Sequence, residues 1–370
     1  MKHKKNLKKP VLFLFFILVL AFLISCNQDS IFADIAVEPP PVKPRIAGSS
    51  TGIVVLNDRA YMASIGSSVI HTYKNNQWGS LPTGGKIAGL AATSSKLYAL
   101  VYNGNNRMDA SLIEWDGTGW ITISKGDAGS YSIQSIYSAG DRLFVGGRSG
   151  ASWSIFDVNG ARLSRIISNA APLTGAASAG SDYYVSTGGS GIYRVSNPNM
   201  AVPGSGGNIT GLINVNGTIT AVGWDGRILV NSGTGFTTIY DENIHFTGAM
   251  AVYKEYSQNQ WRDSLLLLGI QTSRSYDKGY REVALVNGAM PMQGIDPVIP
   301  GGELVSSVKP ENKSKYEASL ARYSVHHILQ IPNEVDSFPP NPQNWEPLLF
   351  ASTAGNGIYV LKNGLWNAQE

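Results

Sequence analysis

Cys26 is the only cysteine among the 370 residues of this chain, at the end of the stretch Leu23-Ile24-Ser25-Cys26. A lone thiol cannot form an internal disulfide, and the apolar residues before Cys26 have no folded partner that would make it a buried structural cysteine. Outside the first ten residues the histidines are His71, His245, His326 and His327. His326 and His327 are adjacent in a run that reads as a strand, so their side chains are expected on opposite faces and not on one ion. No His-x-His pair and no Asp-x-Asp-x-Asp-Gly calcium loop occurs. The expectation is no metal site and no cofactor.

Hydrolytic chemistry is equally hard to place. There is no Gly-x-Ser-x-Gly elbow to raise a serine nucleophile. Asp116, in Trp115-Asp116-Gly117-Thr118-Gly119-Trp120, and Asp225 both precede glycine and read as turn formers, not general acids. Gly204-Ser205-Gly206-Gly207 lacks the strand-to-helix setting that lets backbone amides cradle phosphate. No catalytic residue is assigned.

Recognition chemistry is better represented. Two long polar loops, residues 102–109 and 271–281, mix arginine with aromatic and amide side chains, the residue types that dominate binding hot spots. Shorter segments carry Arg148 with Trp153, and Trp224 with Arg227. The candidate ligand-binding set is therefore Tyr102, Asn105, Arg107, Arg148, Trp153, Trp224, Arg227, Arg274, Tyr276 and Arg281. A protein or glycan partner suits these groups.

The elements that would position them recur. From Thr51 onward the chain is glycine-rich and poor in charge, with short β-type runs between Gly, Asn, Asp and Ser turns, the pattern of an all-β fold. Strand-like triplets return as Ala60-Tyr61-Met62, Leu97-Tyr98-Ala99, Leu143-Phe144-Val145, Tyr183-Tyr184-Val185, Ile219-Thr220-Ala221, Leu265-Leu266-Leu267 and Leu348-Leu349-Phe350. Each is followed by a second run such as Ser111-Leu112-Ile113-Glu114-Trp115 or Gly191-Ile192-Tyr193-Arg194-Val195. Opening strands carry an internal glycine, as in Leu173-Thr174-Gly175-Ala176 and Ile209-Thr210-Gly211-Leu212. Asp116-Gly117, Asn159-Gly160, Asn287-Gly288 and Asn363-Gly364 are expected to be type I′ hairpin turns. An aromatic residue often follows the turn, as at Trp78, Trp120, Phe236 and Trp366.

Four strands per unit, seven times over, predicts a seven-bladed β-propeller over residues 46–370, with insertions around 297–345. Glycine in the innermost strands is expected where they converge on the axis. The interval from Leu265 to Leu348 covers about two ordinary repeats, which leaves eight blades as the alternative. That interval contains a short helical pattern over residues 314–320 and a proline-rich loop over 332–342. The segments Leu143-Phe144-Val145-Gly146-Gly147 with Phe156-Asp157, and Leu97-Tyr98 with Trp115 and Trp120, resemble kelch-type repeats. That resemblance implies a shape and carries no activity.

The N-terminus resembles the signal of bacterial lipoprotein precursors. Lys2, Lys4, Lys5, Lys8 and Lys9 precede an apolar core at residues 11–24, too short for a membrane span. In that family the leader (here 1–25) is removed, and the cysteine at the lipobox position, here Cys26, receives a diacylglycerol thioether and an acylated amino terminus. Several acyl chains together anchor a protein stably. Residues 26–45, with Pro39-Pro40-Pro41 and Pro44, would then be an extended tether. The chain holds 29 basic and 26 acidic residues, and losing the five leader lysines turns a net charge of +3 into about −2. The mature chain therefore has no overall basic excess of the kind that nucleic-acid binding uses.

Lipid anchor, spacer and propeller together resemble in layout the propeller lipoprotein of the outer-membrane protein assembly machinery. The expectation is an envelope lipoprotein, on the outer membrane and facing the periplasm or the surface, that binds a protein or glycan without catalysis. The alternatives are a glycan hydrolase or lyase using axial carboxylates, and a surface adhesin.

Overall fold

Short apolar runs separated by turn residues can bury both of their faces only if sheets stack on one another, and this chain does so in a ring. The computed structural model describes residues 44–75, 77–107, 110–241, 244–257, 260–271, 279–291, 298–299, 324–331, 348–362 and 365–368. Seven four-stranded antiparallel sheets follow one another along the chain, each formed from consecutive strands. Blade 1 is β1 (Ser50–Leu56), β2 (Arg59–Ser64), β3 (Val69–Lys74) and β4 (Gln77–Pro82), and blade 2 is β5 (Lys86–Ala92), β6 (Leu97–Tyr102), β7 (Ser111–Trp115) and β8 (Trp120–Thr122). Blade 3 comprises β9 (Ser132–Ala139), β10 (Arg142–Ser149), β11 (Ser152–Asn159) and β12 (Arg162–Ala170). Blade 4 comprises β13 (Leu173–Ala179), β14 (Asp182–Thr187), β15 (Gly191–Arg194) and β16 (Asn197–Ala201). Blade 5 is built from β17 (Ile209–Val215), β18 (Thr218–Gly223), β19 (Arg227–Asn231) and β20 (Phe236–Asp241). Blade 6 has β21 (Phe246–Ser257), β22 (Gln260–Ile270), β23 (Tyr280–Ala284) and β24 (Val298–Ile299). Blade 7 ends the chain with β25 (Val325–Ile331), β26 (Leu348–Thr353), β27 (Gly357–Lys362) and β28 (Leu365–Ala368).

The fold is the seven-bladed propeller that the repeat predicts, and the long interval before Leu348 adds no eighth sheet among the described residues. The helical pattern at 314–320, the loop at 332–342 and the expected Asn363-Gly364 turn lie outside the described residues, as do Cys26 and the proline-rich residues up to 43.

The core is distributed between blades. Each apolar cluster joins two neighbours, as Phe144 and Ile155 of blade 3 do with Leu173 and Val185 of blade 4. Val222 and Ile228 of blade 5 likewise meet Phe246, Leu266 and Leu268 of blade 6. The second strand of a blade has neighbours on both faces, which is why β6 and β26 are almost continuously buried, whereas β4 at the outer edge is mostly exposed. Burying both faces removes the polar alternation that a one-sided sheet would show.

Blade 7 closes on blade 1 through side chains: Phe350, Ile358 and Val360 pack with Ile53, Ala60 and Met62. Ile46 lies in the same cluster, and its carbonyl accepts the Ile358 amide at 3.1 Å, so the first described residues brace the last blade instead of adding a strand to it.

The hairpins differ in part from expectation. Asn287 and Gly288 both have positive φ, 53° and 78°, as a type I′ turn requires. At Asn159-Gly160 only the glycine does, because Asn159 pairs with Arg162 and the two-residue loop starts one residue later, in the type II′ pattern. At Asp116 the carboxylate makes the turn: Oδ1 accepts the amides of Thr118 and Gly119, each at 2.7 Å, and the Thr118 hydroxyl at 2.8 Å. These donors hold the Asp116 carboxyl below its usual range. Asp116 is thus the turn former that its neighbours imply.

Candidate functional site

In a blade, the turn from second to third strand and the connection from one blade to the next open on the same face. The described candidate residues sit at or beside such turns on this face. Arg148, near the end of β10, is exposed; its Nε donates to the Gly150 carbonyl at 2.8 Å and its guanidinium lies 5.9 Å from the ring centre of Trp153. Asn105 and Arg107 are exposed in the loop after β6, where Asn105 accepts from Lys86 Nζ at 3.1 Å. Half-buried Arg227 bridges Asp225 Oδ2 at 2.7 Å and the Gly206 carbonyl at 2.9 Å. Arg281 is half-buried in β23. Arg274 and Tyr276 lie outside the described residues.

Tyr102 differs from the rest of the set. It is only 6% exposed and belongs to the apolar cluster between blades 2 and 3. The end of a second strand is still flanked by neighbouring blades, so the aromatic ring is covered although a polar loop follows it. Trp224, by contrast, is 38% exposed and stacks face to face on His245, with ring centroids 4.7 Å apart and an interplanar angle of 6°. His245, on the connection into blade 6, is 21 residues from Trp224, and nothing in its sequence position marks the pairing.

A second feature lies deeper on the same face. Each innermost strand carries a register irregularity close to its start. The residues left out of the ladder include Thr51, Ala88, Gln134, Thr174, Thr210, Thr247 and His326, one from each blade. All seven line an axial cavity of about 690 Å³. A bulge turns a side chain out of the regular alternation, so repeating it in every blade produces a ring of side chains at the mouth of the channel.

The threonines of this ring are tied down. Thr174 Oγ1 donates to the Ile209 carbonyl of the next blade at 2.7 Å, and Thr247 makes the same cross-blade contact to the Val325 carbonyl. Thr51 and Thr210 bond within their own blades, to Ala63 at 3.3 Å and Val222 at 3.2 Å. Glycine follows at Gly52, Gly175, Gly211 and Gly248, because adjacent strands leave no room: a Cβ on Gly211 would stand 2.6 Å from the Gly248 carbonyl oxygen.

His326 is the residue left out of the ladder in blade 7, and both His326 and His327 are among the residues that border the channel. His327 Nδ1 lies 2.9 Å from Ser352 Oγ. Enclosure by the protein, with a smaller effect from His326, lowers the His327 imidazole to about 4. The His327 ring is thus neutral at neutral pH, and His326, although surface-accessible, is also lowered by desolvation. Tyr137 is 37% exposed to the channel, yet the surrounding walls strip enough water from its phenol to push it above its ordinary value.

No charged side chain belongs to the described cavity lining, and so no carboxylate is placed there for general acid or base work. Among the described residues no three His, Cys, Asp or Glu side chains group as metal ligands.

No protein-family model matches the chain, and no curated protein does. Solved structures do. The WD40 beta propeller domain of Doa1 superposes with a TM-score of 0.54 at 8% identity, covering 87% of this chain and 96% of that one. BBS1N in complex with ARL6DN, soaked with mercury, gives 0.52 at 12% identity over 87% and 93%. A chain of the Mitotic Checkpoint Complex gives 0.50 at 12% identity over 90% and 94%. At such identities the likeness is one of fold.

Proposed function

We propose that this protein is a lipid-anchored envelope lipoprotein whose propeller is a non-catalytic platform for a protein partner. The observation that carries the binding reading is the Trp224–His245 stack, an exposed aromatic pair on the face that also bears Arg107, Arg148 and Trp153. A preformed aromatic surface loses little side-chain entropy on binding and suits a protein interface. Two of the similar structures, BBS1N with ARL6DN and the Mitotic Checkpoint Complex, are of assemblies, which supports a protein over a glycan as the partner. Anchoring rests on the lysine-rich leader and Leu23-Ile24-Ser25-Cys26. The kelch-type resemblance is a proposal about ancestry and supplies no partner.

The test is affinity capture from envelope extract with the full chain in detergent, followed by identification of bound proteins. A specific partner lost on changing Arg107, Arg148 and Trp224 together is the expected result. Capture that is unchanged in the triple variant would remove this face from the account.

A further inference from the structure

We propose that the axial cavity binds a small, uncharged, hydroxyl-rich molecule of mono- or disaccharide size. The inference concerns a different site from the partner-binding face and does not depend on it. Its volume of about 690 Å³ falls within the roughly 300–1,000 Å³ typical of small-molecule pockets.

The chemistry of the ring narrows the class. A threonine hydroxyl has one proton, and in Thr51, Thr174, Thr210 and Thr247 contacts with protein carbonyl oxygens occupy it. What these side chains can still offer the channel is lone pairs, fewer on Thr174 and Thr247, whose Oγ1 atoms also meet Ser186 Oγ at 3.0 Å and the Ala249 amide at 3.4 Å. A ligand that complements four such acceptors must bring donors, and hydroxyl groups supply them without charge. The described lining holds no charged side chain, so an ion would be drawn out of water with no counter-charge to meet it. Tyr137 supplies an exposed aromatic ring in the same wall, a surface against which the C–H face of a sugar can lie. His326 and Gln134 add groups able to donate or accept.

Isothermal titration calorimetry on the full chain in detergent tests this, using glucose, N-acetylglucosamine, maltose and trehalose, with glucuronate and glucosamine as charged counterparts. At least one neutral sugar is expected to bind with a sub-millimolar Kd, and the charged counterparts at least tenfold more weakly. Ala88→Leu, which narrows the ring, should weaken that binding tenfold or more. Gln134→Ala removes an amide without adding bulk and should weaken it several-fold, so it serves if Ala88→Leu does not fold. Failure of every neutral sugar to bind, equal binding of the charged counterparts, or parental affinity in the folded variants would each overturn the proposal.

Discussion

The indole of Trp224 lies flat on the imidazole of His245, and His245 Nδ1 is 2.7 Å from the Trp224 carbonyl oxygen. A carbonyl only accepts, so Nδ1 carries the proton and the ring is held by both its face and its edge. Trp224 comes from the turn after β18 and His245 from the connection into β21, so the pair ties blade 5 to blade 6 at the rim. Two residues beyond His245 stands Thr247 of the axial ring, and its hydroxyl reaches blade 7.

Trp224→Ala should reduce partner capture about tenfold, in line with loss of an aromatic hot spot. Since the indole is already 38% exposed, the melting temperature should move by no more than about 2 °C. Surface plasmon resonance against the captured partner, with a thermal melt alongside, checks both. A large melting shift with unchanged affinity would make the stack a structural clasp.

The glycines that follow the ring are predicted to be intolerant for a reason that differs from turn geometry. In Gly211→Ala the new methyl meets the Gly248 backbone at 2.6–3.1 Å, and overpacking of this kind costs about 1–3 kcal/mol. Gly206→Ala, where no atom lies within 4 Å and φ is not positive, should change stability by less than about 0.5 kcal/mol. Urea unfolding of the two variants compares them directly.

The blade count and strand order were legible because the second strands, buried on both faces, recur as apolar triplets such as Leu143-Phe144-Val145 and Leu348-Leu349-Phe350. The ring was not. An extra residue in an alternating strand looks like one more member of it, and only the pairing of Leu173 with Thr187 and Gly175 with Ser186 shows that Thr174 is left out. A signal was present all the same in Thr51-Gly52, Thr174-Gly175, Thr210-Gly211 and Thr247-Gly248. The glycines read as small residues for a crowded axis, whereas a threonine in an alternating strand carries no mark of a ladder interruption. Tyr102 failed as a surface residue for the converse reason: the polar loop after it suggests exposure, while its place at the end of a second strand dictates burial.

Thr174→Val should destabilise the propeller by about 1–3 kcal/mol, since it leaves the Ile209 carbonyl without the hydroxyl that now reaches it across the blade interface. The same change at Thr210, whose bond stays within blade 5, should cost less, because it does not loosen an interface. Chemical denaturation of both variants would reveal the ordering, and equal effects would show that the cross-blade bond has no special role.

Cys26→Ser should release the chain from the membrane fraction and abolish its labelling by radioactive palmitate, because a serine cannot form the thioether. Fractionation of cells expressing each form reads this out. A membrane-bound, unprocessed Cys26→Ser chain that the parent resembles in size would instead mean that the leader stays attached.

Acid should weaken the fold through His327. Its folded value of about 4 lies below the unfolded 6.5, so between those values the unfolded chain binds the extra proton and stability falls as pH falls. Above pH 6.5 the group is neutral in both states and its contribution is complete; below pH 4 that contribution is lost, to the extent of about 3 kcal/mol. His326, whose value is also lowered by burial, adds to the same limb. Unfolding curves from pH 4 to pH 7.5 should therefore show a slope that His327→Gln flattens, while the variant differs from the parent by a constant amount above pH 7. An unchanged slope in His327→Gln would assign the acid limb to the carboxylates elsewhere in the blades, of which Asp116, held below its usual range by three hydrogen bonds, titrates at still lower pH.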